Sequence, residues 1–268
     1  MDGNVGGLIE AMNANVYGNG TQTLVLSHGF GCDQNVWHLL IPYFMCCFKL
    51  VVFDLAFAPT VRPGLYNPDR YSTYNAYAED VVGVLDELNV SNAIFVGHSM
   101  SAMIGSLASI QKRDLFKQII MLNGSPRYLN DSDYIGGYSE SEVKRILGQM
   151  EQNYSAWTGD FAPAAVGQNG TAQAHEFEQS LLRMDPNVSV QVAQNVFLSD
   201  YRWVLEQVKL PCTIIQTEND IIVHPFVPGY MKKMLGEGAK VVMLDAHGHF
   251  PMLTADSLLS KVLIKEIN

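Results

Sequence analysis

Basic residues are scarce in this sequence. Lys and Arg total 17 against 27 Asp and Glu, giving a formal net charge of −10. A general electrostatic grip on nucleic acid or on an anionic membrane needs a basic face, so both partner classes are disfavoured. Charge of either sign is thin, at 16% of residues, where a typical soluble domain carries about 25%. Cysteine is rare too. Cys32, Cys46, Cys47 and Cys212 form no CxxC pair and no spacing typical of zinc ligands. That excludes a disulfide scaffold, and the four are expected to be small buried residues with free thiols. Adjacent Cys46 and Cys47 are not expected to bond each other. No uninterrupted apolar run reaches the roughly 20 residues of a membrane span. The first residues carry Asp2 and Glu10 with no basic stretch ahead of an apolar run, so no signal peptide is expected and a reducing intracellular compartment is. There is no glycine at period three, no heptad run and no internal repeat. A Gly-rich loop with Lys and Ser/Thr, an HExxH pair and an EF-hand loop are all missing, so neither metal nor cofactor is expected.

What the chain has is apolar bulk. Of its 268 residues, 48% are hydrophobic, enough for one large α/β domain or two small ones. Six short, fully apolar runs stand out: Thr23–Ser27, Leu50–Asp54, Ala93–Gly97, Gln118–Leu122, Cys212–Thr217 and Lys240–Leu244. They lack alternation, which suits strands buried on both faces of a mostly parallel sheet. Helical patterns separate them. Tyr77, Val81, Val84, Leu85 and Leu88 fall on one face of a helix over Tyr74–Leu88. Met100–Ile110 reads as a helix buried under the sheet, and Ser257–Ile267 closes the chain. Strand–helix alternation of this kind predicts a doubly wound α/β fold.

The alternation breaks between about residues 125 and 207. Helical patterns at Ser141–Tyr154, Ala172–Met184, Val188–Phe197 and Asp200–Val208 replace it, with Pro163 and Pro186 as punctuation. Ser139 to Glu142 reads as a capped helix start. The expectation is a single domain, 1–268, with a helical lid at 125–207 inserted between core segments 1–124 and 208–268. The insert is rich in aromatics, from Tyr128 to Trp203.

Ile94 to Ala102 reads as an apolar strand ending in Gly-His-Ser-Met-Ser, followed by a buried helix. A sharp strand-to-helix turn in that context exposes a nucleophilic serine, here Ser99. Small residues at 97 and 101 answer the close backbone approach, although Ser101 stands where a second glycine is usual. Such a serine needs a base, and the base needs an orienting acid, in the chain order Ser, acid, His. Asp220 follows the run ending at Thr217, with Glu218 as a rival. His249 follows the run ending at Leu244, with His247 as a rival that spacing barely separates. His28 and His98 read as structural hydrogen-bonders. An oxyanion hole would take one backbone N–H from Phe30, in the Ser27–Gly31 loop, and one from Met100.

Taken together, these and further motifs resemble the plant receptor-type α/β-hydrolases that perceive strigolactones and karrikin-like butenolides. The resemblance rests on the stretches at 28–37, DRYST (69–73), GHSMSAMIG (97–105), SPRYLND (125–131), FAPAAVG (161–167), PCTIIQ (211–216) and GHFP (248–251). It implies an α/β-hydrolase fold with a four-helix, V-shaped lid and a triad of Ser99, Asp220 and His249, selecting His249 over His247. It also implies a butenolide pocket over Ser99 lined by Phe30, Tyr128, Tyr138, Trp157, Phe161, Phe177, Phe197 and Phe250. Slow hydrolysis, a monomer, an F-box/ubiquitin-ligase partner, and a cytoplasmic and nuclear location are further implications. Departures fall at Leu55–Pro63, Met100, His247 and Phe250, a pattern most similar to the third, receptor-like branch of the family.

Overall fold

A computed structural model describes residues 7–168 and 171–267. Its described strands are β1 (Asn15–Tyr17), β2 (Thr23–Ser27), β3 (Lys49–Phe53), β4 (Ala93–His98), β5 (Phe116–Leu122), β6 (Cys212–Asn219) and β7 (Ala239–His247). They form one sheet in the order β1-β3-β2-β4-β5-β6-β7. Only β1 runs antiparallel, against β3. Every residue of β2 and of β4 is buried, as expected for strands covered on both faces. β1 escaped the pattern reading because it is a short edge strand with little burial to mark it.

Helices α1 (Leu8–Ala11) and α2 (Ile41–Phe44) are single turns, while α3 (Tyr74–Glu87) packs against α4 (Met100–Gln111), which lies on β4 and β5. Between β5 and β6 the chain leaves the sheet for α5 (Glu140–Gln152), α6 (Tyr154–Val166), α7 (Ala172–Leu182), α8 (Pro186–Leu198) and the short α9 (Arg202–Leu205). It returns through α10 (Phe226–Leu235), α11 (Pro251–Thr254) and α12 (Asp256–Ile267). The α5 start carries a full capping box: Ser139 Oγ accepts from Glu142 N, and Glu142 Oε2 accepts from Ser139 N at 2.8 Å. Such a cap contributes about 1 kcal/mol.

One proline reading changes. Pro163 does not end a helix but lies inside α6. Its missing N–H costs a bond to the Gly159 carbonyl, and burial of Trp157, Ala162, Ala165 and Val166 offsets that loss. Gly167, with φ at 76°, then stops the helix. Pro228 sits in the first turn of α10, where its N–H would lack an intrahelical partner anyway. The helix expected over Asp200–Val208 shrinks to α9.

The sheet order sets the site. β2 lies between β3 and β4: the chain steps from β2 to β3 on one side, then crosses back past β2 to β4 on the other. A crevice opens beyond the carboxyl ends of the strands at such a switch point. Ser27 and His98 end the two strands there, followed by the glycine loop and by Ser99.

Candidate active site

Ser99 adopts φ 57°, ψ −123° at the head of α4. A non-glycine residue in that region stores about 1–3 kcal/mol of strain, held by its surroundings. Here the Ser99 N–H donates to the Leu122 carbonyl at 2.9 Å, and Ala102 N donates to the Ser99 carbonyl at 3.0 Å. Glycine at 97 is obligatory, because a Cβ would run into the Ser101 carbonyl. Gly29 is equally constrained: a Cβ there would lie 2.9 Å from Ser99 Cβ. The loop after β2 therefore folds directly over the serine.

His249 Nδ1 bonds Asp220 Oδ2 at 2.7 Å, with both side chains buried. The Asp220 carboxylate also accepts from Ile222 N at 2.8 Å, Val223 N at 3.3 Å and Gln216 Nε2 at 3.1 Å. Four donors on one buried carboxylate fix it in place. The rivals lie elsewhere: Glu218 is exposed at the end of β6, and the exposed His247 pairs through Nδ1 with Asn219 at 3.0 Å. His98 Nε2 donates to the His249 carbonyl at 2.8 Å. His28 accepts from Leu55 N at Nε2 (2.9 Å) and donates from Nδ1 to the Gly29 carbonyl (2.9 Å). Burial lowers the pKa of both His28 and His98, keeping them neutral. The Phe30 and Met100 N–H groups have no acceptor among the described residues. Ser99 Oγ makes no hydrogen bond to His249 among the described residues, a contact that commonly tightens only with substrate bound.

A family model described as the alpha/beta hydrolase family matches residues 24–260. The chain belongs to that family. It is 42% identical to a strigolactone esterase of Arabidopsis thaliana, covering 96% of each chain. It is 41% identical to a karrikin insensitive 2 receptor of Petunia hybrida, over 97% of this chain and 96% of the relative. A solved hydrolase from Oleispira antarctica is 32% identical and superposes with a TM-score of 0.93, covering 97% of this chain and 96% of that one.

The aromatic residues of this hydrolase divide into two sets. Phe30, Tyr128, Phe177, Phe197 and Phe250 are buried. Phe177 and Phe250 meet at 4.1 Å between ring centroids, and Phe250 packs behind His98 and His249 at 5.1 and 5.4 Å. Tyr128 packs on Phe197 at 5.7 Å. Its hydroxyl is buried without a hydrogen-bond partner. Burial pushes that phenol well above its usual pKa, with the adjacent Ser99 hydroxyl pulling slightly the other way. That hydroxyl therefore lies beside the nucleophile.

Tyr138, Trp157 and Phe161 instead line an open groove of about 540 Å³ with Ile146, Ile221 and Ile222. Trp157 and Phe161 stack at 4.7 Å. Tyr138 divides this groove from the buried set, touching Phe197 at 5.4 Å and donating its hydroxyl to the Ile221 carbonyl at 3.0 Å. The residues implied to line a single slot therefore fall into a buried cluster and a groove-lining set, with Tyr138 touching both. A larger groove of about 690 Å³, between Tyr66, Asn195 and Trp203, holds none of the catalytic candidates.

Several residues support the hydrolase site through bonds that no motif specifies. Ser101 Oγ donates to the His28 carbonyl at 2.5 Å and lies 2.9 Å from Ser27 Oγ. Asn123 and Thr217 bond each other at 3.0 Å and both reach the Gly248 carbonyl, at 3.3 and 2.7 Å. The divergent stretch packs under the site: Leu55, Ala56, Phe57 and Ala58 are buried, and Phe57 meets His28 edge-on at 5.6 Å. For Asn123 and Thr217 the one signal is position, since each falls at or just beyond a strand's carboxyl end.

Proposed function

We propose that this hydrolase is a receptor that binds a butenolide, of strigolactone or karrikin type, and slowly hydrolyses it. Ser99 Oγ attacks the ester-like carbonyl carbon while His249 Nε2 takes its proton. Asp220 holds the imidazole by its Nδ1–H and stabilises the cation that forms. The carbonyl oxygen becomes an anion, and the N–H groups of Phe30 and Met100 receive it. The C–O bond then breaks, and His249 returns the proton to the departing enol oxygen. Water, deprotonated by the same imidazole, attacks the acyl-serine; the acid leaves and Ser99 regains its proton. An adduct retained on His249 is a further part of the proposal.

The observation that carries the receptor reading is the bonding between lid and catalytic loops. The His249 N–H donates to the Ala165 carbonyl of α6 at 2.7 Å, and Tyr138 bonds the residue after Asp220. Occupancy at Ser99 therefore has a direct route to the lid. The family resemblance extends the proposal to an F-box/ubiquitin-ligase partner and to the cytoplasm and nucleus as the place of action.

Intact-mass spectrometry after incubation with each stereoisomer of a synthetic strigolactone tests the reading. A covalent increment on His249, lost in Ser99→Ala, supports it. Fast turnover of small aryl esters with no increment and no ligand-dependent thermal shift assigns an ordinary carboxylesterase instead. Partner binding that survives Ser99→Ala assigns a binding module whose catalysis is dispensable.

A further inference from the structure

The four cysteines were expected to share one buried environment, and they do not. Cys32 and Cys212 are buried. Burial pushes the Cys212 thiol up to about 12 and the Cys32 thiol well above its usual value, so both are inert as nucleophiles. Cys46 and Cys47 are exposed, in the turn between α2 and β3, with their Sγ atoms 3.0 Å apart.

The backbone explains that approach. Helix-type bonds to the Phe44 carbonyl span both cysteines, and successive side chains on helical backbone diverge by about 100°, not the 180° of a strand. Cys47 N and Phe48 N both donate to the Phe44 carbonyl at 3.0 Å, which tightens the turn. Gly18 and Gly20 press against its other side, where any Cβ would strike the carbonyls of Met45, Cys47 or Phe48. The turn is thus held from within and from behind, and solvent reaches both thiols. A gap of roughly 1 Å separates the present spacing from an S–S bond of about 2.05 Å.

We propose that Cys46–Cys47 is a thiol–disulfide exchange site that takes a low-molecular-weight disulfide of the glutathione type. One thiolate attacks a sulfur of the small disulfide; that S–S bond breaks, and the first small thiol departs with a proton. The neighbouring thiolate then attacks the protein-side sulfur of the mixed disulfide. The second small thiol leaves with a proton as the Cys46–Cys47 bond closes. The two cysteines give up two electrons and two protons, and the small disulfide takes both. A bond between adjacent residues closes a small, strained ring, and strained exposed disulfides are the readily reduced ones. The site therefore resets when reduced thiol is abundant. It lies at the amino end of β3, whereas the catalytic loops follow the carboxyl ends of the parallel strands, so ester hydrolysis serves as an internal control for folding.

The test equilibrates the full chain with graded ratios of oxidised to reduced glutathione, quenches in acid, alkylates, and maps masses. The wild type is expected to lose two hydrogens at Cys46–Cys47 without retaining glutathione. Cys46→Ser and Cys47→Ser are each expected to retain one glutathionyl group, because no neighbour resolves it, with ester hydrolysis unchanged. A lasting glutathionyl adduct on the wild type overturns the proposal. So do disulfide-linked dimers in its place, or a wild type that stays reduced where the single variants react.

Discussion

Ser101 occupies the position where the elbow pattern usually has glycine, and its hydroxyl supports the oxyanion loop from beneath. The side chain is fully buried and donates to the His28 carbonyl at 2.5 Å, one residue before Gly29 and two before Phe30. Ser101→Ala removes that donor and leaves a buried carbonyl with one partner fewer. The net loss of a neutral hydrogen bond is about 1 kcal/mol, and an orphaned buried acceptor adds to it, so about 1–2 kcal/mol of stability is at stake. For a chain of this size that lowers Tm by roughly 2–8 °C. The loop also keeps its His28 anchors to Leu55 and Gly29, so it shifts rather than unravels. Displacing one oxyanion donor without removing it is expected to lower kcat about tenfold, equal to about 1.4 kcal/mol. KM should hardly move, since these donors act on charge that develops only in the transition state. Steady-state hydrolysis of a p-nitrophenyl ester and a calorimetric scan measure both effects. A normal kcat beside a lowered Tm would refute the reasoning, by showing that Ser101 supports the fold and not the oxyanion loop.

Ser99→Ala is expected to reduce ester hydrolysis about 10⁴-fold or more while ligand-induced thermal shifts persist; residual turnover near wild type would remove Ser99 from the mechanism. Tyr138→Phe keeps the ring but deletes the bond to the Ile221 carbonyl, worth about 1 kcal/mol. Bulky esters should gain up to about fivefold in kcat/KM and small acetates none, and an equal response in both would show that Tyr138 parts no passage. Burial lowers the native pKa of His28 and His98 below 6.5. Below that pH the unfolded chain binds more protons than the native one, so their contribution is complete at higher pH and is lost as pH falls through about 6.5. The slope reaches about 1.4 kcal/mol per pH unit for each histidine. Urea midpoints that stay level between about pH 7.5 and 5.5 would contradict that burial.

The parallel strands were legible because burial on both faces leaves an unbroken apolar run in each of them, as in TLVLS and AIFVG. Ser99 was legible for a related reason. Its turn admits only glycine at 97, and the strand and helix on either side are long enough to recognise. The acid and base were legible only as pairs of candidates. Two residues separate Asp220 from Glu218 and His249 from His247, and what decides between them is which carboxylate turns back under Ile222 and Val223. That is a matter of tertiary hydrogen bonding with no trace in local pattern. α6 was hidden by Pro163, because local propensity counts against a proline that burial of Trp157 and its neighbours outweighs. The exposed cysteine pair was misjudged for the opposite reason: cysteine is usually buried, and these two lie exposed in the turn between α2 and β3.

Three lid contacts fall beside three different parts of the catalytic apparatus. The Ala165 carbonyl holds the His249 N–H at 2.7 Å, the Tyr138 hydroxyl holds Ile221 next to Asp220 at 3.0 Å, and the Arg183 guanidinium meets Asp33 beyond the oxyanion loop at 2.9 Å. An ordinary esterase gains by keeping its lid free, since substrate must enter and product must leave at every turnover. Here a lid that moves away gives up bonds that orient the base and the acid, so admitting ligand and aligning the triad draw on opposed states of the same contacts. Any free energy that ligand chemistry at His249 adds to or takes from the Ala165 bond is, by linkage, returned as a change in lid position. The aromatic packing acts in the same direction, because the Phe177–Phe250 contact at 4.1 Å joins α7 to the residue following the base. On the proposed receptor reading, slow turnover and a lid that registers the state of the site are two consequences of this one arrangement, which a rapid catalyst would not need.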